Sequence, residues 1–234
     1  MNPTRSARRS RLVACAAVVM LSGALRVASA TSLGGVVSAE LFAASLPVRP
    51  SFATVVMADN FTSVGPMSDR TPQSVGTGVW MQIGGNWATA GGAVNPPNSA
   101  NALVLYNAES ANVEVQDSLT IRGKSRTGLV VRSNSTGNTF LNGFVTELGV
   151  VAIEKVVSGS RTSLASTTLV LPATAFRFQV RVSGTVVTVT LNGTAVCTYT
   201  LTASEQTAFG AQTYVGLSAA NSGNEIHDDF AVVT

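Results

Sequence analysis

Residues 176–201 read FRFQVRVSGTVVTVTLNGTAVCTYTL, three β-rich runs joined at Ser183-Gly184 and Asn192-Gly193. In the first run, the apolar side chains of Phe176, Phe178 and the following valines alternate with arginine and glutamine. Because successive side chains of a strand point to opposite faces, this alternation predicts one face in a core and one in water. The glycine-containing joints predict hairpins, so the stretch indicates three consecutive antiparallel strands.

The register of these hairpins decides the role of Cys197, the only cysteine beyond residue 30. A two-residue turn at Ser183-Gly184 places the apolar set of the second run on the core face: Val187, Val189 and Leu191. After Asn192-Gly193 two registers are open. A second two-residue turn points Cys197 outward, whereas a three-residue loop with a left-handed glycine points inward the apolar set Ala195, Cys197, Tyr199 and Leu201. We favour the register that buries this set, and so predict that Cys197 is a core residue and not a reactive thiol.

Similar β-rich runs, separated by Gly, Asn, Ser and Pro, fill the chain from Phe52 onward, a spacing typical of sandwiches and barrels. The predicted strands are Ala53–Phe61, Val79–Ile83, Ala102–Tyr106, Asn112–Arg122, Gly128–Ser133, Thr139–Leu148, Val150–Val157, Ala175–Ser183, Thr185–Leu191, Ala195–Leu201, Tyr214–Ala219 and Ile226–Val233. We therefore predict one all-β domain over residues 52–234, a two-sheet antiparallel β-sandwich.

The first thirty residues have the three parts of an export signal. Four arginines precede an apolar run from Leu12 to Leu25, and small residues end at Ala30. The run has 14 residues, fewer than the roughly 18–20 that cross a bilayer. We expect cleavage after Ala30, no stable transmembrane segment after processing, and a secreted or cell-surface, extracytoplasmic location. Residues 31–51 then form a spacer.

Processing also changes the charge of the protein. The full chain carries a formal charge of +3, but five of its fifteen basic residues precede residue 31 and all twelve acidic residues follow it. The remaining ten basic and twelve acidic residues give a net charge of −2. No basic cluster is left after processing, so nucleic acid is not an expected partner.

Few residues of the sequence suit catalysis. His227 is the only histidine; it has no second histidine for a transition-metal site, and we expect it to be solvated. Glu114 and Asp117 are three residues apart, so a regular strand places them on opposite faces, and only a bulge would pair them for glycoside hydrolysis. Because Asp117 lies in an apolar register, it is expected either at such a bulge or as a buried, hydrogen-bonded carboxylate.

Acidic residues occur at both ends of the domain. First and last strands of sandwiches often pair, so Asp59 and Asp228, with nearby carbonyls, would supply the hard oxygen ligands that a structural calcium ion prefers. The alternative is that these carboxylates bond turn amides or face water. Trp80 and Trp87 are predicted to lie in the core and not to form a sugar-stacking platform.

A series of short motifs follows the domain in chain order: Asp59-Asn60-Phe61-Thr62, Trp80, Gly85-Asn86-Trp87, Gly128-Leu129-Val130-Val131-Arg132, Val189-Thr190-Leu191-Asn192-Gly193, Val215-Gly216-Leu217 and Asp228-Asp229-Phe230. With these motifs, the chain resembles the concanavalin A-like, laminin-G-like jelly-roll domains of exported bacterial proteins over about residues 53–234. The resemblance implies two face-to-face antiparallel sheets, one of them concave, and members that bind glycans or proteins or hydrolyse glycosides. It also implies calcium at Asp59 and Asp228, whereas the carboxylate-rich strand of the glucanases is not found.

Three functions follow as hypotheses. The first is a non-catalytic recognition module for a polysaccharide or cell-surface component, with Tyr106, Arg132, Arg177 and Arg181 as possible contributors on the concave sheet or its rim. The second is a structural surface or envelope protein that assembles through flat, threonine-rich sheet faces and has no soluble ligand. The third is a glycoside hydrolase or lyase that uses Glu114 or Asp117.

Overall fold

The computed structural model describes residues 54–97, 101–122, 126–220 and 225–234. The export signal, the spacer and the predicted cleavage site lie outside these ranges. The described strands are β1 Val55–Asp59, β2 Gly65–Pro66, β3 Met81–Gly84, β4 Ala88–Ala90, β5 Ala93–Asn95, β6 Ala102–Asn107, β7 Val113–Thr120, β8 Arg126–Ser133, β9 Phe140–Thr146, β10 Val150–Val157, β11 Ser160–Thr168, β12 Ala175–Ser183, β13 Val186–Leu191, β14 Thr194–Thr200, β15 Tyr214–Ala220 and β16 Ile226–Val233. One helix, α1, spans Ala203–Phe209. No helix within the described ranges has the length and apolar character needed to cross a bilayer.

These strands form two antiparallel sheets. The first sheet has the order β14-β13-β12-β7-β16-β5-β4-β2, and β1 also pairs with β16. The second sheet has the order β11-β10-β9-β8-β15-β6-β3. Apolar side chains from both sheets share one large buried cluster, so the fold is the predicted two-sheet jelly-roll sandwich. The pairing of β1 with β16 joins the two ends of the domain, as predicted.

The predicted alternation in β12 and β13 is confirmed. Phe178, Val180 and Val182 on β12 are buried, as are Val187 and Val189 on β13. Because Ser183 pairs with Val186, the turn residues are Gly184 and Thr185, one position later than predicted. Gly184 takes a left-handed φ of 57°, which such a tight hairpin requires.

Cys197 lies in the core as predicted, but the register that puts it there was predicted wrongly. The turn at Asn192-Gly193 is a two-residue turn, since Leu191 pairs with Thr194. A bulge then shifts β14 by one residue against β13, which leaves Ala195 exposed and turns Cys197 inward. Burial raises the pKa of the Cys197 thiol, so the structure supports a packing role for this residue.

A capping box marks the start of helix α1 in the sequence. The sequence analysis did not predict this helix. The Thr202 side chain accepts a hydrogen bond from the Glu205 backbone N–H, and the Glu205 carboxylate accepts one from the Thr202 N–H. Burial alone would raise the pKa of Glu205, but hydrogen bonds from Lys155, Thr202 and Tyr199 hold it at about 2. This ionised carboxylate ties α1 to β10 and β14.

All twelve predicted strands are present, with ends shifted by up to two residues. The strands β2, β4, β5 and β11 were not predicted. Three of these are only two or three residues long. The fourth, β11, is the polar edge of the second sheet, and its sequence SRTSLASTT lacks an apolar face.

The two sheets pack closely at Gly143 on β9, and this position provides a test of stability. A Cβ atom at this position would overlap Cγ2 of Val180 and of Val189 across the core. We expect Gly143→Ala to lower the free energy of unfolding by about 1–3 kcal/mol, because the packed sheets cannot separate without strain. Urea unfolding measures this change, with Thr198→Ala on the exposed face of β14 as the control. Equal stability of the two variants would contradict the packing described here.

Candidate functional site

Polar side chains cross the second sheet on its outer face, the face turned away from the first sheet. Ser218 on β15 donates from Oγ to Asn142 Oδ1 over 3.0 Å. Asn142 on β9 donates from Nδ2 to Glu154 Oε1 on β10, also over 3.0 Å. Arg161 on β11 and Arg126 on β8 both reach the same Glu154 oxygen. These five side chains are called the polar row.

Strand β8 leaves room for this row because Gly128 has no side chain. Ser218 pairs with Gly128 in the ladder, and Gly128 pairs with Phe144. A Cβ atom at residue 128 would lie 2.7 Å from Asn142 Oδ1 and would also meet the backbone of Gly143. The bare backbone therefore allows Ser218 and Asn142 to bond across an intervening strand.

Glu154 is the centre of the row. It is only 3% exposed, and its Oε1 atom accepts hydrogen bonds from Asn142 and from Nη1 of Arg161, the latter over 2.6 Å. The two arginine side chains keep 26% and 28% exposure, so they connect the buried carboxylate with solvent. Charge-assisted bonds of this kind offset the cost of burying a carboxylate.

The arginines also lie over aromatic rings. The guanidinium carbon of Arg126 is 3.8 Å from the centre of the Phe144 ring, and that of Arg161 is 5.9 Å from the Phe140 ring. Burial, and then repulsion from Arg161, lower the pKa of Arg126 to about 10. Burial also lowers the pKa of Arg161. A pKa of about 10 keeps Arg126 cationic at neutral pH.

A cleft of about 310 Å³ opens beside the row. Leu103, Phe140 and Val156 supply apolar surface, and they belong to a small buried cluster separate from the main core. The polar lining includes Asn101, Thr136, Asn138, Arg161 and Ser218. Apolar surface with a few convergent polar groups is the usual chemistry of a small-ligand site.

Sequence reasoning missed this site. Asn142 and Glu154 lie inside strands that read FLNGFVT and VVAIEKVV, so the runs were interpreted as strands without a chemical role. The available signal was a polar side chain in the middle of an apolar run. The partners were not visible from the sequence, because Asn142, Glu154 and Ser218 come from three different strands.

The arginines and the tyrosine named from the sequence lie elsewhere. Tyr106 is buried in the main core, and Arg132 is 3% exposed with bonds to Ala111, Asn112 and Gly184. These two side chains are therefore structural, and their prediction as ligand contacts was wrong. Arg177 and Arg181 lie on β12, on the outward face of the first sheet and away from the cleft.

His227 is buried, contrary to the expectation of a solvated histidine. Its Nδ1 lies 2.5 Å from Asp117 Oδ2, and its Nε2 lies 2.8 Å from Thr127 Oγ1. The side chains of the histidine and the aspartate have no exposed surface, and Trp87 packs against the imidazole ring. Burial raises the pKa of Asp117, although His227 and Arg177 act to lower it. The order carboxylate, imidazole, hydroxyl is that of a catalytic triad, but a polymeric substrate cannot reach Thr127 inside the core.

Asp117 is thus the buried, hydrogen-bonded carboxylate that one of the two sequence alternatives described. Strand β7 alternates regularly, with Asp117 inward and Glu114 outward. Glu114 accepts a hydrogen bond from Gln179 on the outward face of the first sheet. The two carboxylates therefore do not form the facing pair that glycoside hydrolysis needs.

Asp59 and Asp228 each have their own hydrogen-bond partners. The buried Asp59 carboxylate accepts hydrogen bonds from the Phe61 N–H at 2.9 Å, Trp80 Nε1 at 2.8 Å and Arg70 Nη2 at 3.0 Å. Asp228 is partly exposed and accepts from the Asp229 N–H. No cluster of three or more His, Cys, Asp or Glu side chains suited to a metal ion occurs within the described ranges. Because both Asp59 oxygens face N–H donors, the pair as arranged does not fit a calcium ion.

No family model matches the chain, and no curated protein matches it. Solved structures do match it. The carbohydrate-binding module CBM66 from Bacillus subtilis is 15% identical, with 66% of this chain and 91% of that chain covered and a TM-score of 0.50. A Bacillus subtilis protein of unknown function with a galectin-like fold is 11% identical, with 78% and 97% covered and a TM-score of 0.55. A LamA variant from Z. galactanivorans in complex with laminaritriose and laminaritetraose is 9% identical, with 79% and 100% covered and a TM-score of 0.51. At these identities the likeness shows a shared β-sandwich fold.

The calcium prediction and the hydrogen bonds of Asp59 have different consequences for stability. If Asp59 and Asp228 bind calcium, the ion raises the melting temperature above its value in EDTA, and Asp228→Asn removes that rise. If Asp59 instead stabilises the fold by accepting hydrogen bonds from its three donors, Asp59→Asn lowers the free energy of unfolding by about 3 kcal/mol whether or not calcium is present. That loss of stability corresponds to a fall of roughly 6–12 °C in melting temperature. The Asp59 bonds lead us to expect the second result, and calorimetry of the three proteins in calcium and in EDTA measures both.

Proposed function

We propose that this chain is an exported carbohydrate-recognition module without catalytic activity, and that its sugar ligand lies in the cleft beside the polar row. The observation that carries the proposal is the polar row itself. A sheet face turned away from the core needs no buried hydrogen-bonded network for folding, yet Asn142, Glu154 and Ser218 are almost fully buried there. Such a network fixes the orientation of Arg161 in the cleft wall.

The lining of the cleft suits a saccharide. Sugar rings present apolar C–H surface and a rim of hydroxyl groups, and the cleft offers Leu103 and Val156 beside the side-chain amides of Asn101 and Asn138. The β-sandwich fold shared with a carbohydrate-binding module supports the proposal. Fold likeness alone does not assign a function, so the proposal depends on the chemistry of the cleft.

The same lining supports a non-catalytic role. Hydrolysis of a glycosidic bond normally needs two carboxyl groups on either side of the bond. Among the described side chains of the cleft and the polar row, the carboxylate is that of Glu154, and it is occupied by two arginines and an amide. A carboxylate held in this way is poorly placed to act as a nucleophile or a base.

The free edge of the second sheet favours a second candidate function, assembly with other copies or with envelope proteins. Strand β11 ends the second sheet, is nine residues long and is mostly exposed. An unpaired edge of this length presents backbone groups to another strand. Light scattering during size-exclusion chromatography tests the idea, because a strict monomer at high concentration argues against assembly.

Export is the part of the proposal that rests on residues 1–30. We expect the protein recovered from outside the cytoplasm to begin at Thr31, because the small residues before that position form the cleavage site. Intact-mass measurement of the recovered protein locates its first residue. A full-length mass in that fraction would contradict cleavage after Ala30.

We expect the secreted protein to retain at least one polysaccharide in an immobilised glycan panel and to release no reducing ends from it. Thr136 is exposed at the cleft, so Thr136→Trp should fill the space and weaken binding at least about tenfold. Asn101→Ala should weaken binding less, since one hydrogen bond contributes about 0.5–1.5 kcal/mol.

Thr198→Trp is the matched control, because Thr198 is an exposed threonine on the edge strand β14 of the first sheet. Binding that Thr136→Trp and Thr198→Trp reduce equally would place the ligand elsewhere. The absence of binding to any glycan would overturn the proposed function.

A further inference from the structure

The polar row contains more positive charge than negative charge. Arg126 and Arg161 share the single carboxylate of Glu154, so the row carries a net charge of +1. Opposite charges in a buried group are normally balanced, because an uncompensated charge is costly to remove from water. The two arginine side chains are only 26% and 28% exposed and belong to this network.

The second observation is that Arg126 is not fully bonded. Its Nε atom is buried and has no hydrogen-bond partner among the described residues. Buried donors of native proteins nearly always have an acceptor, so the unpartnered Nε of Arg126 leaves the polar row able to take an acceptor that a ligand supplies. The Asn142 amide and the Arg161 guanidinium already occupy the Glu154 oxygen that Arg126 contacts.

The third observation is that part of the positive charge of the row faces the cleft. Arg161 lines the cleft, where its neighbours are the uncharged polar side chains Asn101, Asn138 and Ser218. Among the described lining residues there is no acidic side chain to repel an anion. A planar guanidinium in such a wall matches the two oxygens of a carboxylate or a sulfate group.

We propose that the saccharide bound in the cleft is acidic, carrying a uronate carboxylate or a sulfate ester, and that Arg161 binds the acidic group while Arg126 supplies the second positive charge. This inference rests on the proposed function and adds the ligand class to it. The acidic group replaces the missing negative charge of the row. Neutral glycans of the same shape leave that charge unbalanced and bind more weakly.

Matched pairs of polysaccharides test the charge separately from the sugar. Polygalacturonate and its methyl ester have the same backbone and differ in the carboxylate charge, and dextran sulfate and dextran differ in the sulfate groups. We expect the secreted protein to bind at least one acidic member at least about tenfold more tightly than its neutral partner. The acidic pair that shows this preference identifies the acidic group as a carboxylate or a sulfate.

Arg161→Gln should weaken binding of the acidic member by roughly tenfold to a hundredfold and weaken binding of the neutral member much less. Arg161→Lys keeps the charge and loses the planar fork, so it should restore part of the affinity. Arg177→Gln, on the outward face of the first sheet, is the control and should change neither. Circular dichroism melting of each variant confirms that it is folded, and the salt dependence of wild-type binding gives the same answer without a variant.

The outcomes separate the two proposals. Equal binding of acidic and neutral members, lost in Thr136→Trp, overturns the acidic ligand and leaves carbohydrate recognition standing. Acidic binding that Arg161→Gln and Arg177→Gln weaken equally is non-specific attraction, and it also overturns the inference. If no member of any pair binds, both proposals fail.

Discussion

The contact of Val180 and Val189 with the bare backbone of Gly143 shows the constraint on which the domain depends: two sheets must approach closely enough to exclude water over their whole inner faces. Strands β7 and β12 of the first sheet meet this constraint by simple alternation of buried and less buried side chains. The second sheet needs a glycine on β9 where the valines of the first sheet protrude. Close packing then fixes the sheets relative to each other, and this fixes every side chain on the outer face of the second sheet.

Two of the buried polar groups in this frame differ in their surroundings, which separates their roles. Asp117, His227 and Thr127 lie between the sheets, where hydrogen bonds link the three side chains out of reach of any substrate. Asn142 and Glu154 lie on the other side of the second sheet, next to a cleft and to two partly exposed arginines. Burial alone thus does not indicate function. Burial beside an open cleft, with excess charge, is the observation that supports the proposed function.

The fold explains why neighbouring strands are sufficient to build such a site. Strands of an antiparallel sheet lie about 5 Å apart, so side chains at the same height on β8, β9, β10 and β11 form a continuous surface. Gly128 removes the one side chain that would interrupt the bond between Ser218 and Asn142. A sheet of this fold can therefore carry a row of bonded polar side chains that come from neighbouring strands.

Local sequence patterns were enough to predict twelve of the sixteen described strands and the side chains that form most of the core. Period-two alternation at Phe176–Val182 requires a buried face, and the position of Trp80 and Trp87 in the core followed from their size and apolar surface. The sequence also left two alternatives for Asp117, because a carboxylate among the apolar positions of a strand lies either at a bulge or in a buried hydrogen bond. The burial of Cys197 was predicted from the apolar set around it, although the bulge that produces it was not.

Only the tertiary structure decided the partners of the polar groups. His227 meets Asp117 across 110 positions of chain, and Ser218 meets Asn142 across 76. Short-range patterns do not encode these distances, since strand order in a sheet depends on which faces and edges fit together. The same limit applies to Arg132, which has the appearance of a surface arginine in the sequence but bonds backbone carbonyls inside the fold. Local alternation thus determines which side chains are buried, and the packing of two sheets determines what each buried polar group touches.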